Sequence, residues 1–391
     1  MITREELRQL AQVESPAGCA ITFYFQPQTP QDKTHREEAI LAKDLVRNAV
    51  RHAERSGNHQ GLREDLQKIQ RTAETLYGNH SLGKAIFACR DRGIWREVDL
   101  PARLGRSQLK VDSRFHLRPL VAAQSGSMRT CIALVNRIKA RIFELERHGE
   151  ALRQRADLEF GPLAKTGRSD GYLGYEAGHR ERHAENEIKM HFKWFADSLH
   201  SLLNRDQFDA LLIGCHEDAW ADLESHLHPY VKQRLQGRFL VDPAVATPEE
   251  VREHADRILN KASETRREAL LREVIGEAQR NARGALGLRR VLTALERQEV
   301  QTLVVGRHFR AEAAECPNCR HLDTRMVRQC AVCGHATREL ADVADALVDL
   351  ALRNGAEIEF IENDPDLEKS GHIAALLRFR ADQNTPQKAA V

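Results

Sequence analysis

Two cysteine pairs near the C-terminal end, Cys316-Pro-Asn-Cys319 and Cys330-Ala-Val-Cys333, constrain this chain more than any other feature. Ten residues separate the pairs. That spacing lets two knuckles fold back and offer four thiolates to one ion. Zinc favours soft ligands in a tetrahedron, and a closed four-cysteine set is a structural site with no coordination position left for water. Gly334, just after the second knuckle, has the free φ that helps such a turn aim its NH groups at sulfur. The plainer alternatives are four free thiols or two disulfides in a loop. The other four cysteines, Cys19, Cys89, Cys131 and Cys215, are scattered. The expected cofactor is therefore one structural Zn2+ held by Cys316, Cys319, Cys330 and Cys333.

A chain of 391 residues is long enough for two or three domains. Charged residues make up 30% of it, and no apolar run approaches the roughly 20 residues that span a bilayer. The first residues, MITREELRQLAQ, are charged and helical and lack the apolar stretch of a signal peptide. Scattered thiols beside a knuckle pair suit a reducing compartment, so the expected location is cytoplasmic. Net charge is only +2, yet arginine outnumbers lysine 46 to 13. Guanidinium groups pair bidentately with phosphate and stack on bases. A GC-rich genome would produce the same bias.

Strand and helix patterns alternate along the chain. Strands are expected at 20–26, 85–89, 93–98 and 114–122, with helices at 35–55 and 61–77 between the first two. Residues 130–146 alternate like a hairpin, and 147–180 are polar and glycine-rich. Ile188, Phe192, Phe195 and Leu199 place a helix over 181–203. The run 210–214 reads as a buried strand, 217–235 as a helix and 238–242 as a strand. Thr247-Pro248-Glu249-Glu250 starts a long helix reaching about 282. A helix at 285–297, a strand at 302–306, the knuckles, a helix at 339–353 and strands at 356–361 and 373–380 complete the pattern. The fold class is α/β in three domains: 1–125, 126–262 and 263–391.

The stretch VLTALERQEVQTLVVG, the knuckle pair, then NGAEIEFIEND and SGHIAALLRFR resembles the third domain of archaeal and eukaryotic class-1 peptide release factors, whose archaeal members carry a zinc knuckle there. The likeness is fainter over 130–262. Over 1–125 only the general α/β pattern matches. The chain is similar to the bacterial branch of that superfamily, which includes Balon-type ribosome hibernation factors. The resemblance implies a three-domain, release-factor-like architecture. It also implies a role as a tRNA mimic in the A site of the 70S ribosome, against the rRNA of that site and of the peptidyl-transferase centre. The zinc-bearing domain would face a translational GTPase such as elongation factor Tu.

The family's chemistry sits on a Gly-Gly-Gln loop in its middle domain. The corresponding stretch here, 166–179, has no Gly-Gly pair, and no glutamine occurs between Gln154 and Gln207. No catalytic residue can be carried over. The first domain also lacks the family's Asn-Ile-Lys-Ser tetrapeptide; its nearest loop is Ser56-Gly57-Asn58-His59. The expectation is occupancy without peptidyl-tRNA hydrolysis, that is, hibernation or protection. The alternative is a rescue or release enzyme using Glu176 or His179.

The glycine-rich loop also carries candidate RNA contacts. Gly167, Gly171, Gly174 and Gly178 let backbone approach phosphate. Lys165, Arg168, His179, Arg180 and Arg182 supply charge, and Tyr172 and Tyr175 can stack on bases. An ordinary surface loop is the plain alternative. His179 and His183 stand four apart with Glu187 beyond, a weak candidate for a second metal; Cys215-His216 reads as a strand-end packing pair rather than a nucleophile.

Overall fold

The computed structural model describes residues 2–25, 36–56, 60–75, 83–100, 107–125, 128–137, 139–145, 152–159, 176–206, 208–362 and 364–380. The chain forms two compact units. One combines Met1–Ser125 with Arg267–Val391; the other is Gly126–Arg266. The three expected segments thus fall into two units, with the first and last sharing one. Among the described residues no helix is long and apolar enough to cross a membrane.

The N-terminal segment opens with α1 (Arg4–Gln12). Thr3 caps it: its hydroxyl accepts the Glu6 NH at 3.1 Å while its own NH donates to the Glu6 carboxylate at 2.8 Å. Then come β1 (Ala20–Phe25), α2 (Arg36–Ser56), α3 (Gln60–Thr75), β2 (Lys84–Cys89), β3 (Ile94–Asp99) and β4 (Gln108–Asp112). The sheet is antiparallel in the order β3-β2-β1-β4. Every residue of β1 is buried, because both faces of the sheet are covered. Ile21, Phe23 and Phe25 pack with Ala42, Val46, Leu66 and Ile69 of the two helices. Ala20 and Tyr24 face the other way, into a core shared with the C-terminal segment.

Residues 114–122 are not the expected strand. They lead into a helix, α4 (Arg118–Gln124), with Pro119 in its first turn. Proline has no NH to give a sheet ladder, but its fixed φ suits the start of a helix.

The second unit contains β5 (Thr130–Val135), β6 (Lys139–Leu145), β7 (Leu152–Glu159), α5 (Glu176–Asp206), β8 (Ala210–Cys215), α6 (Glu217–His226), α7 (Pro229–Arg234) and β9 (Leu235–Leu240). Its sheet runs β7-β6-β5-β8-β9, antiparallel on the β5–β6–β7 side and parallel across β5–β8–β9. Phe192, Phe195 and Leu199 of α5 cover one face. Val251 and Ala255 of α8 (Pro248–Gln279) cover the other. β7 lies in the stretch expected to be only polar loop. The single helix expected over 217–235 is two, broken where Pro229 starts a new one. Thr247 and Glu250 form the capping box expected for α8, with reciprocal bonds of 3.0 and 3.3 Å.

The C-terminal segment adds β10 (Gly284–Leu286), α9 (Leu288–Glu296), β11 (Val300–Gly306), β12 (Ala313–Glu315), β13 (Leu322–Asp323), β14 (Arg338–Leu340), α10 (Ala344–Arg353), β15 (Glu357–Ile361), α11 (Pro365–Lys369) and β16 (Ile373–Leu377). The main sheet is β10-β16-β11-β15, with β11 and β15 parallel. The helix expected from 339 begins only at Ala344, because 338–340 pair with β12 in a small sheet of order β13-β12-β14.

The two segments of the first unit are joined by one apolar core and by ions. Leu7, Phe87, Phe115 and Leu120 pack with Val343, Leu347 and Ala351. Arg353 donates to the Ala11 carbonyl at 2.7 Å and to Glu14 at 3.0 Å. Arg114 pairs with the fully buried Glu315 and stands 3.8 Å from Asp349.

Candidate metal centre

The small sheet β13-β12-β14 is the platform for the cysteines. Cys316 follows β12 directly, and the chain then makes two matching turns. In the first, the Cys316 NH donates to the His321 carbonyl (2.9 Å) and the Arg320 NH donates back to the Cys316 carbonyl (2.9 Å). In the second, the Cys330 NH donates to the His335 carbonyl (2.8 Å) and the Gly334 NH to the Cys330 carbonyl (2.9 Å). The Val332 NH lies 3.4 Å from the Cys330 sulfur, the NH-to-thiolate geometry expected of a knuckle. Gly334 has φ +72°, as its position requires; in the first knuckle Arg320 occupies the equivalent place at φ +63°. A side chain in this region costs about 1 kcal/mol or more, which the turn must offset.

All four sulfurs lie within 4.8 Å of one another. Cys316 and Cys333 are 3.4 Å apart, and Cys319 and Cys330 3.5 Å. These separations are too long for a disulfide, whose S–S bond is about 2.05 Å. They are close to the roughly 3.8 Å edge of a tetrahedron with metal–sulfur bonds of about 2.3 Å. The four cysteines therefore fit a metal ion. The NH of His335, helped by the Asn318 side chain, pushes the Cys333 thiol down. At Cys319 the NH of His321 acts in the same sense, but burial and the neighbouring thiols outweigh it and push that thiol up.

The knuckles are tied down through side chains. His321 contacts Glu296 of α9 at 2.6 Å. Glu315, fully buried beside Cys316, gathers Arg114, Arg320 and Arg338. The sequence reading missed this cluster, because its members are ordinary charged residues far apart in the chain. One signal was legible: Asp349 stands inside the apolar run ALVDLALR. Burial pushes its carboxyl up to about 7.

Of the candidate RNA contacts, Lys165, Gly167, Arg168, Gly171, Tyr172, Gly174 and Tyr175 lie outside the described residues. α5 begins at Glu176 rather than 181. Gly178, His179, Arg180 and Arg182 are therefore on the first turns of a helix in their backbone, not in a loop. Cys215 ends β8 buried, and burial pushes its thiol up to about 11; His216 faces Asp242 at 3.7 Å. Burial likewise pushes Cys89 and Cys131 up to about 12. None of the three is poised as a nucleophile.

Residues 116–260 match the model of the bacterial archaeo-eukaryotic release factor family 10. That stretch, less than half of the chain, is similar to the family. Solved structures similar to it include the archaeal translation termination factor aRF1, 16% identical over 97% of this chain and 99% of that one, TM-score 0.24. Ribosome-bound archaeal Pelota is 16% identical over 76% of this chain and 78% of that one, TM-score 0.42. Dom34 of S. cerevisiae is 10% identical over 77% and 82%, TM-score 0.41. No curated protein matches the chain. The family match spans the middle segment of the chain.

Proposed function

We propose that this protein binds the bacterial ribosome in the A site and occupies it without cleaving peptidyl-tRNA, as a hibernation or protection factor. One observation carries the reading. The family match covers 116–260, yet the stretch 166–179 within it has neither a Gly-Gly pair nor a glutamine. Attack on the peptidyl ester needs a group that positions water at the scissile carbonyl, and a small misplacement costs most of the rate. A scaffold of this class without that group can fill the site but not complete the reaction. The ion at the four cysteines is zinc in this reading, and its role is to hold the C-terminal segment's outer sheet. That segment is the proposed contact for a translational GTPase such as elongation factor Tu.

Stalled 70S ribosomes carrying labelled peptidyl-tRNA test the proposal. The expected result is co-sedimentation at low salt, weakening steeply as salt rises because phosphate contacts release counterions, with no peptide released. Absence of co-sedimentation would remove the ribosome as partner. Peptide release that disappears in Glu176→Ala or His179→Ala would make the protein a rescue enzyme instead.

A further inference from the structure

The first unit holds a cavity of about 590 Å³ that is unrelated to the cysteines. Its walls come from both segments: Lys110, His116 and Arg118 on one side, Arg307, His308 and Arg310 on the other, with Asp342 and Asp345 between them. It opens where the chain leaves β11 at Gly306, at the carboxyl end of the parallel pair β11–β15. Crevices at that end of parallel strands are where α/β sheets place ligands.

The charges in the wall are unequally used. Both carboxylates are engaged from within, although Asp345 is bound through Oδ2 only and its buried Oδ1 has no partner. Asp342 accepts Arg118 at 3.1 Å and the Ala344 NH at 3.0 Å. Asp345 takes His116 at 2.8 Å and Lys110 at 3.2 Å. Arg118 is also committed, since it donates to the Phe309 carbonyl at 2.8 Å and so fixes the loop 307–310. Arg307 pairs with Glu362. The exposed side chains of His308 and Arg310 form no hydrogen bond or ion pair among the described residues. Both contacts of His116 use Nδ1, which leaves Nε2 for a ligand. An uncommitted guanidinium and imidazole therefore line a concave site whose two acids each face a basic partner.

We propose that this cavity binds a phosphorylated small molecule of nucleotide size, with Arg310 and His308 receiving its phosphates. Guanidinium and imidazole N–H groups are suited to phosphate oxygens. The volume falls in the range of about 300–1,000 Å³ typical of small-molecule sites. An RNA backbone would be met by an open cationic surface rather than by a cavity of this shape. The site is independent of the ribosomal reading above. Because the two segments build it jointly, a ligand there clamps them together.

The test is calorimetric titration of the full-length, metal-loaded protein with ATP, GTP and inorganic pyrophosphate at low salt, together with thermal melting. The expected result is saturable binding by at least one of the three, a raised melting temperature, and affinity lowered about tenfold or more in Arg310→Glu and in His308→Asp. Both positions are exposed, so the variants should melt like the wild type without ligand. Absence of binding by all three at millimolar concentration would overturn the proposal, as would binding unchanged in both variants. Arg310-dependent binding of an RNA oligomer without any binding of the three probes would also overturn it, and would mark the surface as an RNA contact.

Discussion

Both compact units bury a carboxylate under arginines, but they recruit those arginines over different distances along the chain. In the contiguous unit, Glu144 of β6 takes Arg129 and Arg155, 15 and 11 residues away. Burial resists its ionisation, and the two arginines hold its carboxyl below the usual range. In the composite unit, Glu315 takes Arg338 from 23 residues away and Arg114 from 201. The first arrangement is complete within one segment. The second exists only when both ends of the chain have met. The family match at 116–260 spans nearly all of the contiguous unit, whereas the four-cysteine cluster and the basic cavity belong to the composite one.

The strongest way to break this comparison is to end the chain at Arg266. Residues 1–125 would then expose Tyr24, Phe87, Phe115 and Leu120, which pack in a core shared with the C-terminal segment. They should lose cooperative unfolding, while 126–266 keeps a sheet covered on both faces. Hydrogen exchange resolves the two: protection should survive in β5 and β8 and vanish in β1 and β2. Equal loss in both would show that the units do not fold separately.

Disrupting the four-cysteine ligand set should have the next largest effect, and only on one unit. A closed four-thiolate site contributes its binding energy to folding, up to about 10 kcal/mol or more in small zinc domains. Cys319→Ser, or chelation, should lower the melting temperature of the composite unit and leave the other transition in place. Purified protein holding less than about half an equivalent of zinc under reducing conditions would refute the ligand set.

Arg114→Met compared with Arg129→Met sharpens the contrast. Arg114 serves two buried acids, Glu315 and Asp349; Glu315 keeps Arg320 and Arg338, but Asp349 loses its ion-pair partner, so the loss should cost about 2–3 kcal/mol. Arg129 is more exposed, and Glu144 keeps Arg155; its loss should cost about 1–2 kcal/mol. Urea titrations of the two variants measure both.

The smallest effect is a pH dependence within α10. Burial pushes Asp349 up to about 7 from 3.8, so the folded chain keeps the proton longer than the unfolded one. Its contribution is full below pH 3.8 and is lost as pH rises through about 7. Asp345 runs the other way. Burial opposes its ionisation, but His116 and Lys110 hold it at about 2; its contribution is present above 3.8 and lost as pH falls toward 2. Asp349→Asn should flatten the decline between pH 4 and 7 and leave the acid limb intact. An unchanged slope would mean Asp349 is ionised throughout.

What the sequence determined was local. Two CxxC turns bring their own sulfurs together, and all four cysteines meet as the spacing requires. The Thr247–Glu250 capping box starts α8 within four residues. The apolar runs at β8 and β11 read as buried strands because their neighbours in sequence said so. Where a local rule was misread the structure differs locally: Pro119 makes 118–124 a helix, and the α5 helix begins five residues early, taking His179 and Arg180 into its first turns. What only the tertiary structure decided was every arrangement whose members lie far apart. The shared core of the first unit, the burial of Glu315 and Asp349, and a cavity walled by Lys110 and Arg310 leave no periodic or spaced signal. Their energy comes from removing charges and apolar surface from water when distant segments meet, and nothing in the neighbouring residues records which segments those will be.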